Sequence, residues 1–328
     1  MAAGSTSPNP PVGAVIVSPS GEVVGEGYTQ PAGGAHAEVM ALKDAGSAAR
    51  GGRAIVTLEP CNHQGRTGPC SQALLAAGVS RVDFLFADPS PVACGGAETL
   101  RNAGVDVHGP FLPSPSHVKP WTPLFSVEPW LRSMALGRPH VTVKVASTAD
   151  GRIAARDGSS QWITGAAARR VVHVDRSRRD AIVVGTGTAI ADNPSLTARR
   201  EDGSLLPNQP LRVLMGERGL PADTALFTGD APAMHVRSRD PHAVLAQLSE
   251  HGVVDVLIEG GAGVIGSFIH AGLVDAVQLY MAPALLGGGS AWIDSPQLGG
   301  SMDDIRRFTP RELTTAGDDV IWRLTAPI

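Results

Sequence analysis

His36-Ala37-Glu38, then Pro60-Cys61, then Cys70 supply one imidazole, two thiols and a nearby carboxylate. Three protein donors leave a tetrahedral zinc ion one open position, and zinc held in this way lowers the pKa of bound water to ~7. A glutamate two residues after the histidine can shuttle the proton without being a ligand. The chemistry expected of such a set is hydrolysis at neutral pH. The alternative is a structural zinc, which wants four protein ligands, and His63, two residues after Cys61, would be the fourth.

A His-x-Glu followed by a Pro-Cys is also the pattern of zinc-dependent base deaminases. In that pattern the second cysteine lies three positions after the first; in this chain it lies nine positions after. Two flanking segments bear on the same chemistry. Ser7-Pro8-Asn9-Pro10 has the composition of a turn, and the Asn9 amide could also read a heterocycle edge, because it both donates and accepts. Arg66, between the two cysteines, is either a solvated surface residue or an anion ligand for a group such as phosphate.

The second half carries a different signal. In Glu259-Gly260-Gly261-Ala262-Gly263-Val264-Ile265-Gly266, the glycines 261, 263 and 266 fit Gly-x-Gly-x-x-Gly between a strand and a helix. Bare amides at a helix start cradle a diphosphate. A Rossmann unit wants an acid about twenty positions further on. Leu279-Tyr280-Met281-Ala282-Pro283 has none, so dinucleotide binding is expected on another frame. Polar clusters follow other strands at Ser147–Arg152, Ser160-Gln161-Trp162, Gly185–Thr188 and Asp192–Arg199. Each can be turn chemistry, and the ends of several strands are also where α/β sheets build ligand sites.

Apolar runs and turn residues give the elements. Strands are expected at 12–18, 22–27, 53–58, 82–87 and 105–107, with helices at 36–45, 70–77 and 97–103. His36 and Cys70 then open helices, whose dipoles favour thiolate and anionic ligands. Prolines 113, 115, 120, 123 and 129 break the pattern over residues 113–138. That stretch reads as a linker between a first domain, 1–112, and a second, 139–328. The second is expected to hold strands at 140–146, 181–184, 211–215, 254–259, 276–283 and 320–325, and helices at 165–178, 241–251 and 262–271. Strands alternating with helices place both domains in the α/β class.

Composition agrees with two globular domains. The chain has 328 residues, 43% of them hydrophobic and 18% charged. A net charge of −4 gives no electrostatic reason to expect nucleic acid. No apolar run approaches the ~18 residues of a membrane span, and Met1 to Pro10 has no signal-peptide core. A cytoplasmic protein with reduced thiols is expected, in which Cys94 is a spare, partly buried and inert thiol.

These motifs, together with Thr57–His63, Gly65–Cys70, Ala149–Arg152, Ser160–Thr164, Asp192–Thr197 and Glu259-Gly260-Gly261, are in the order found in the bifunctional riboflavin-biosynthesis deaminase/reductases. The chain resembles that family over nearly its whole length. In the family the long gap between the cysteines is normal. The resemblance implies a cytidine-deaminase-like α/β/α domain followed by a domain similar in fold to dihydrofolate reductase. The first would deaminate a diamino-pyrimidinone ribosyl phosphate. The second would use NADPH to reduce the ribosyl group to ribityl.

Carried over by position, the resemblance makes His36, Cys61 and Cys70 ligands of Zn2+ and Glu38 the proton shuttle. Asn9, His63 and Arg66 would contact the deaminase substrate. Ala146, Trp162, Thr188, Asp192 and the run Gly261, Ala262, Gly263, Val264, Ile265, Gly266, Ser267 would line NADPH. Ser160, Arg176, Leu196, Arg199 and Glu259 would face the reductase substrate, with Arg176 and Arg199 suited to its phosphate. A homo-oligomer formed through the reductase domain follows by the same analogy. Two departures are visible. Family members carry a helix ahead of the Ser7–Pro10 segment, and lack of it is expected to uncover apolar surface on the deaminase sheet. The strand at 211–215 ends in Met215-Gly216, where the family has an aspartate and a small residue that touch NADPH.

Overall fold

The computed structural model describes residues 2–64, 68–112, 120, 124 and 126–327. The chain divides into two compact units. In the first, strands β1 (Gly13–Val17), β2 (Val23–Tyr28), β3 (Arg53–Leu58), β4 (Arg81–Phe86) and β5 (Asp106–His108) form a sheet of order β2-β1-β3-β4-β5. β1 runs antiparallel to β2 and β3, and β3, β4 and β5 are parallel. Helices α1 (Ala37–Ala45), α2 (Cys70–Ala77) and α3 (Gly96–Asn102) connect them. The alternation in β3 (Ala54, Val56 and Leu58 buried, their neighbours half-buried) is the period-2 pattern of a strand packed on helices.

The approach of α1 to the sheet depends on two glycines. A Cβ at Gly27 would lie 2.2 Å from the Ala37 carbonyl oxygen, and one at Gly25 would lie 2.3 Å from that of Ala41. Only a bare backbone lets β2 lie under this helix. α2 stops at Gly78, whose φ of 73° is the left-handed cap that glycine adopts without strain.

Within 113–138, the stretch expected to be a linker, Glu128–Leu136 forms a helix, α4, and this helix belongs to the first unit. Pro129 lies in its first turn, where a missing N–H costs nothing.

The second unit contains an eight-stranded sheet. Its strands are β6 (His140–Thr148), β8 (Ala181–Gly185), β9 (Leu211–Met215), β10 (Ala233–Val236), β11 (Asp255–Ile258), β12 (Ala276–Ala282), β14 (Thr309–Ala316) and β15 (Asp319–Thr325). Their order is β10-β9-β8-β11-β6-β12-β15-β14. Neighbours are parallel from β10 through β12, and β15 and β14 add antiparallel edges. A short ribbon pairs β7 (Arg152–Ala154) with β13 (Ser290–Ala291). Helices α5 (Ala166–Arg176), α6 (Thr186–Asp192), α7 (Pro241–Glu250) and α8 (Ala262–His270) complete the unit. β8 is buried at every position, as a central parallel strand covered on both faces must be. Val141, Val143, Val183, Val213, Ile258 and Phe268 are among the residues of its main core. No helix among the described residues is long and apolar enough to cross a membrane.

Candidate active sites

The first site is built where the ends of three elements meet. His36 is the N-cap of α1, Cys70 is the first residue of α2, and Cys61 lies on the loop after β3. That loop is tied down on both sides. The Ser71 backbone N–H donates to the Cys61 carbonyl, and the Asn62 N–H donates to the Ala93 carbonyl. The Glu59 carboxylate accepts from the Gly95 and Ala97 N–H groups at the start of α3.

His36 Nδ1 lies 3.2 Å from the Cys70 sulfur and 3.4 Å from the Cys61 sulfur, and the three donor atoms all lie within 4.8 Å of one another. Hydrogen bonds from the Cys70 thiol and from His36 hold the Cys61 thiol at about 4, so it is a thiolate. The same bond to Cys61, together with burial, pushes the Cys70 thiol up. The hydrogen bond to Cys61 raises the His36 imidazole against the opposing effect of burial. One imidazole and two soft sulfurs, one of them already anionic, match the donor set of a zinc site, and the remaining thiol proton would leave when metal binds. His63 is not part of this convergent set among the described residues, so the fourth ligand of a structural zinc is not supplied.

Glu38 sits in the first turn of α1 and is buried. Burial pushes its carboxyl up to about 7. It lines a cavity of about 550 Å³ with His36, Cys61, His63 and Asn9. Among the described residues His63 Nδ1 is buried with no partner, as expected of a ring nitrogen waiting for a ligand. Cys94, expected to be partly buried, is exposed. Arg66 lies outside the described residues. Two wall residues escape sequence reasoning. Trp130, on α4, closes one side of the cavity and donates from Nε1 to the Pro8 carbonyl at 3.0 Å, next to Asn9. Asp88, just past β4, is raised by burial and by the charges of Glu59 and Cys61. Nothing local in the sequence marks either one.

In the second unit, two adjoining cavities of about 540 and 550 Å³ share walls at Ile153, Ser160, Thr188, Asp192 and Gly261. The first also contains Ala146, Trp162, Ile265, Leu196, Arg199, Arg176 and Glu259. The second contains Ala262, Gly263, Val264 and Ser267. Gly266 alone of the expected set lines neither cavity. It faces the Asp294 carbonyl, which a Cβ there would meet at 2.6 Å, so its role is packing. The helix start is shaped for a diphosphate. The Gly261 N–H donates to Thr188 Oγ1 at 2.8 Å and the Val264 and Ile265 N–H groups donate to the Gly261 carbonyl, while Ala262 and Gly263, the first two residues of α8, line the cavity and a Cβ at Gly263 would meet only open space. These residues fit the diphosphate of a dinucleotide such as NADPH.

The charges of the first cavity are organised around Glu259. Arg176 donates to it from Nε and Nη2 at 2.8 Å each, and Lys144 Nζ lies 3.7 Å away. Burial alone would raise the Glu259 carboxyl, but Arg176 and Lys144 outweigh it and hold the group at about 2. Burial lowers the Lys144 ammonium, with Glu259 opposing. The third side of the Arg176 fork goes to the Thr197 carbonyl, so the guanidinium expected to meet phosphate is engaged within the protein. Among the described residues the Arg199 side chain donates from Nε alone, to Thr197 Oγ1 at 2.8 Å. Lys144 also escapes sequence reasoning; the only signal is a lone cation in the apolar run from Val141 to Val145.

Comparison with known proteins agrees with both sites. A family model described as the RibD C-terminal domain matches residues 139–322. One described as the cytidine and deoxycytidylate deaminase zinc-binding region matches residues 1–86. The riboflavin biosynthesis protein RibD of Corynebacterium ammoniagenes is 51% identical over 96% of this chain and 91% of its own. A solved RibD of Acinetobacter baumannii is 34% identical with a TM-score of 0.80, covering 98% of this chain and 94% of that one. A diaminohydroxyphosphoribosylaminopyrimidine deaminase/5-amino-6-(5-phosphoribosylamino)uracil reductase of Thermotoga maritima is 28% identical with a TM-score of 0.82, covering 99% and 94%. The chain therefore belongs to the RibD family, the bifunctional deaminase/reductases of riboflavin biosynthesis.

Proposed function

We propose that the two reactions of this enzyme are divided between its units. The first unit, α4 included, removes ammonia from the diamino-pyrimidinone ribosyl phosphate. The second, from about residue 139 onward, reduces the ribosyl group of the product to ribityl. The observation that carries this reading is the convergence of three zinc donors, with no fourth among the described residues, beside a buried carboxyl raised to about 7.

In the first unit His36, Cys61 and Cys70 hold Zn2+, which when bound supplies a Lewis acid that makes water nucleophilic near neutral pH. Glu38 takes one proton from the attacking water and passes it to the ring nitrogen, then carries the second, from the hydroxyl so added, to the amine; the carbonyl forms, the C–N bond breaks and ammonia leaves. Asn9 and His63 face the pyrimidine, and Arg66 is suited to its phosphate. Trp130 bonds the Pro8 carbonyl and so fixes the segment that presents Asn9. In the second unit the α8 N-terminus, Thr188 and the adjoining wall position NADPH, which supplies the hydride. Reduction of a carbonyl or imine also needs a proton. Lys144, which lines that cavity with His173, is assigned as the donor, and burial lowers its hold on the proton. Glu259 keeps Arg176 and Lys144 in place, and Arg199 meets the substrate phosphate.

The zinc thiolates and the NADPH requirement both suit a reducing, cytoplasmic compartment. Association through the reductase unit is part of the proposal, and sedimentation of the pure chain tests it. The decisive experiment substitutes Glu38→Gln. Ammonia release is expected to fall by about 10²–10⁴-fold while one zinc per chain is retained. Undiminished ammonia release, or loss of the metal together with the activity, would exclude Glu38 as the proton shuttle.

A further inference from the structure

Of the 27 lysines and arginines in this chain three are lysines, and one of the three, Lys144, stands in the reductase cavity. A guanidinium there would stay charged at every working pH, whereas an ammonium can release its proton. What holds that ammonium is therefore part of the chemistry. The Lys144 side chain is 15% exposed, and Glu259 is the carboxylate beside it. Arg176 takes both Glu259 oxygens at 2.8 Å, and Lys144 Nζ stands 3.7 Å off, longer than a hydrogen bond. Two cations thus share one carboxylate. The other charges around Lys144 are committed elsewhere. On α5, Asp175 is paired with Arg179, which also pairs with Asp255 of β11, and Asp255 is bonded to His140 of β6. His173, also on α5, bonds the Thr197 carbonyl. On β15, Arg323 is paired with Glu312 of β14. Across the cavity, Asp192 accepts from Ser160.

The remaining partner is an aromatic face. In the parallel pairing of β6 with β12, Gln278 stands opposite Lys144 and Tyr280 opposite Ala146. Tyr280 is therefore two residues further along the neighbouring strand, on the same face of the sheet as Lys144. Lys144 Nζ lies over the Tyr280 ring, 5.7 Å from its centroid, within the reach of about 6 Å over which a ring quadrupole attracts a cation. Tyr280 is fully buried and packs with Ala168, Val172 and Ile321, so the contact is shielded from water, where it is strongest. The hydroxyl is not the source of the contact, because it has no hydrogen-bond partner among the described residues.

We propose that Tyr280 is a positioning residue for the reduction: the face of its ring pairs with the Lys144 ammonium and, with Glu259, keeps it charged until the substrate takes the proton. The proposal rests on the reading of Lys144 as the proton donor. In that step a Lys144 N–H bond breaks and the proton passes to the carbonyl oxygen or imine nitrogen as hydride from NADPH reaches the carbon. A neutral amine is left over the ring and regains a proton from water. The ring favours the charged form and so opposes the burial that lowers the Lys144 ammonium.

With three lysines in the chain, NMR of lysine labelled at Cε follows Lys144 directly in the full-length protein, and Lys144→Met assigns its signal. Tyr280→Leu is expected to lower the Lys144 titration by about half a unit to one and a half units, and Tyr280→Phe to leave it within about 0.3 unit. The alkaline limb of the reductase kcat profile, measured with the deaminated product, should move down with it, while ammonia release is unchanged. Phenylalanine, trifluorophenylalanine and pentafluorophenylalanine at position 280 keep the shape of the ring and progressively remove the negative potential of its face, so they serve even where leucine fails to fold. The titration should fall in that order. Equal titration across the fluorinated series, or a kcat lowered by the same factor at every pH, overturns the role of the ring while leaving Lys144 as the donor. Lys144→Met that reduces the deaminated product at the wild-type rate overturns the donor reading itself.

Discussion

Glu259 shows how a single carboxylate can organise a cavity. It is buried, its two oxygens are taken by Arg176 at 2.8 Å, and Lys144 stands 3.7 Å away. Removing its charge leaves two buried cations without compensation. Breaking a buried pair from one side costs about 3–5 kcal/mol, so Glu259→Gln is expected to lower the melting temperature markedly. The pH dependence should change with it. The folded carboxyl is held at about 2, below its ordinary value of 4.5. Its contribution to stability is therefore full above the unfolded value and is lost as pH falls toward 2. Thermal melts between pH 6 and pH 3 should show a steeper acid-side decline for the wild-type chain than for Glu259→Gln. Parallel declines would mean that Glu259 does not titrate as its partners imply. Arg176 is the other half of the same pair. As a lone arginine at the end of α5 it is a natural phosphate ligand, but its partner is 83 residues away in sequence, and no local pattern reveals that the fork is already filled.

Elements place these residues, and what is legible in the sequence follows from how each element is held. The strands of the two sheet centres are runs of Val, Ile and Leu, and they stand within a residue or two of where periodicity puts them. The zinc donors are legible for a related reason, because their spacing is local to helix starts and one loop. Elements held by tertiary contact are not. β14, Thr-Pro-Arg-Glu-Leu-Thr-Thr-Ala, is a polar edge strand with a proline, and reads as loop. α6 opens Thr-Gly-Thr, which has weak helix propensity and reads as a turn. α4 is hidden among prolines, one of which starts it, and Trp130 is hidden with it. Lys144 looks like the solvent-side residue of an alternating strand, whereas β6 is covered on both faces. The packing of these elements can be tested at two positions. Gly27→Ala places a Cβ 2.2 Å from the Ala37 carbonyl and must displace α1, whose N-cap is His36. Metal analysis should find well under one zinc per chain, with NADPH binding unchanged. Arg212, fully buried on β9, donates to the carbonyls of Ser195, Ala225, Thr228, Ala231 and Pro232. It pins the loop that carries Leu196 and Arg199. Each buried carbonyl left unpaired costs about 1–3 kcal/mol, so Arg212→Met should unfold at clearly lower denaturant and speed amide exchange through residues 193–199 and 225–232. Unchanged exchange there would show that the loop is held by something else.

At the scale of the whole molecule, the residues assigned to each reaction all belong to one unit. Those of the deaminase cavity run from Pro8 to Trp130, and those of the reductase cavities from Lys144 to Ser290. Neither set borrows a named side chain from the other. The two chemistries should therefore be separable by point substitution. Glu38→Gln should stop ammonia release yet still oxidise NADPH when supplied with the deaminated product. Lys144→Met should do the reverse. Methionine is chosen because it fills the buried stem volume, and Arg176 continues to neutralise Glu259, so the core is spared an unpaired charge. A mixture of the two variants puts the separation to a harder test. The intermediate is a small charged molecule, made by one complete site and consumed by another, so it need not meet both sites in the same chain. Glu38→Gln and Lys144→Met chains, each inactive in the coupled conversion, should restore NADPH oxidation from the diamino substrate when combined. The rate should rise with the concentration of the Glu38→Gln partner until ammonia release limits it. If the mixture stays silent while each variant retains its own half-reaction, the intermediate is not released to solvent, and the two units work as one path within a single chain.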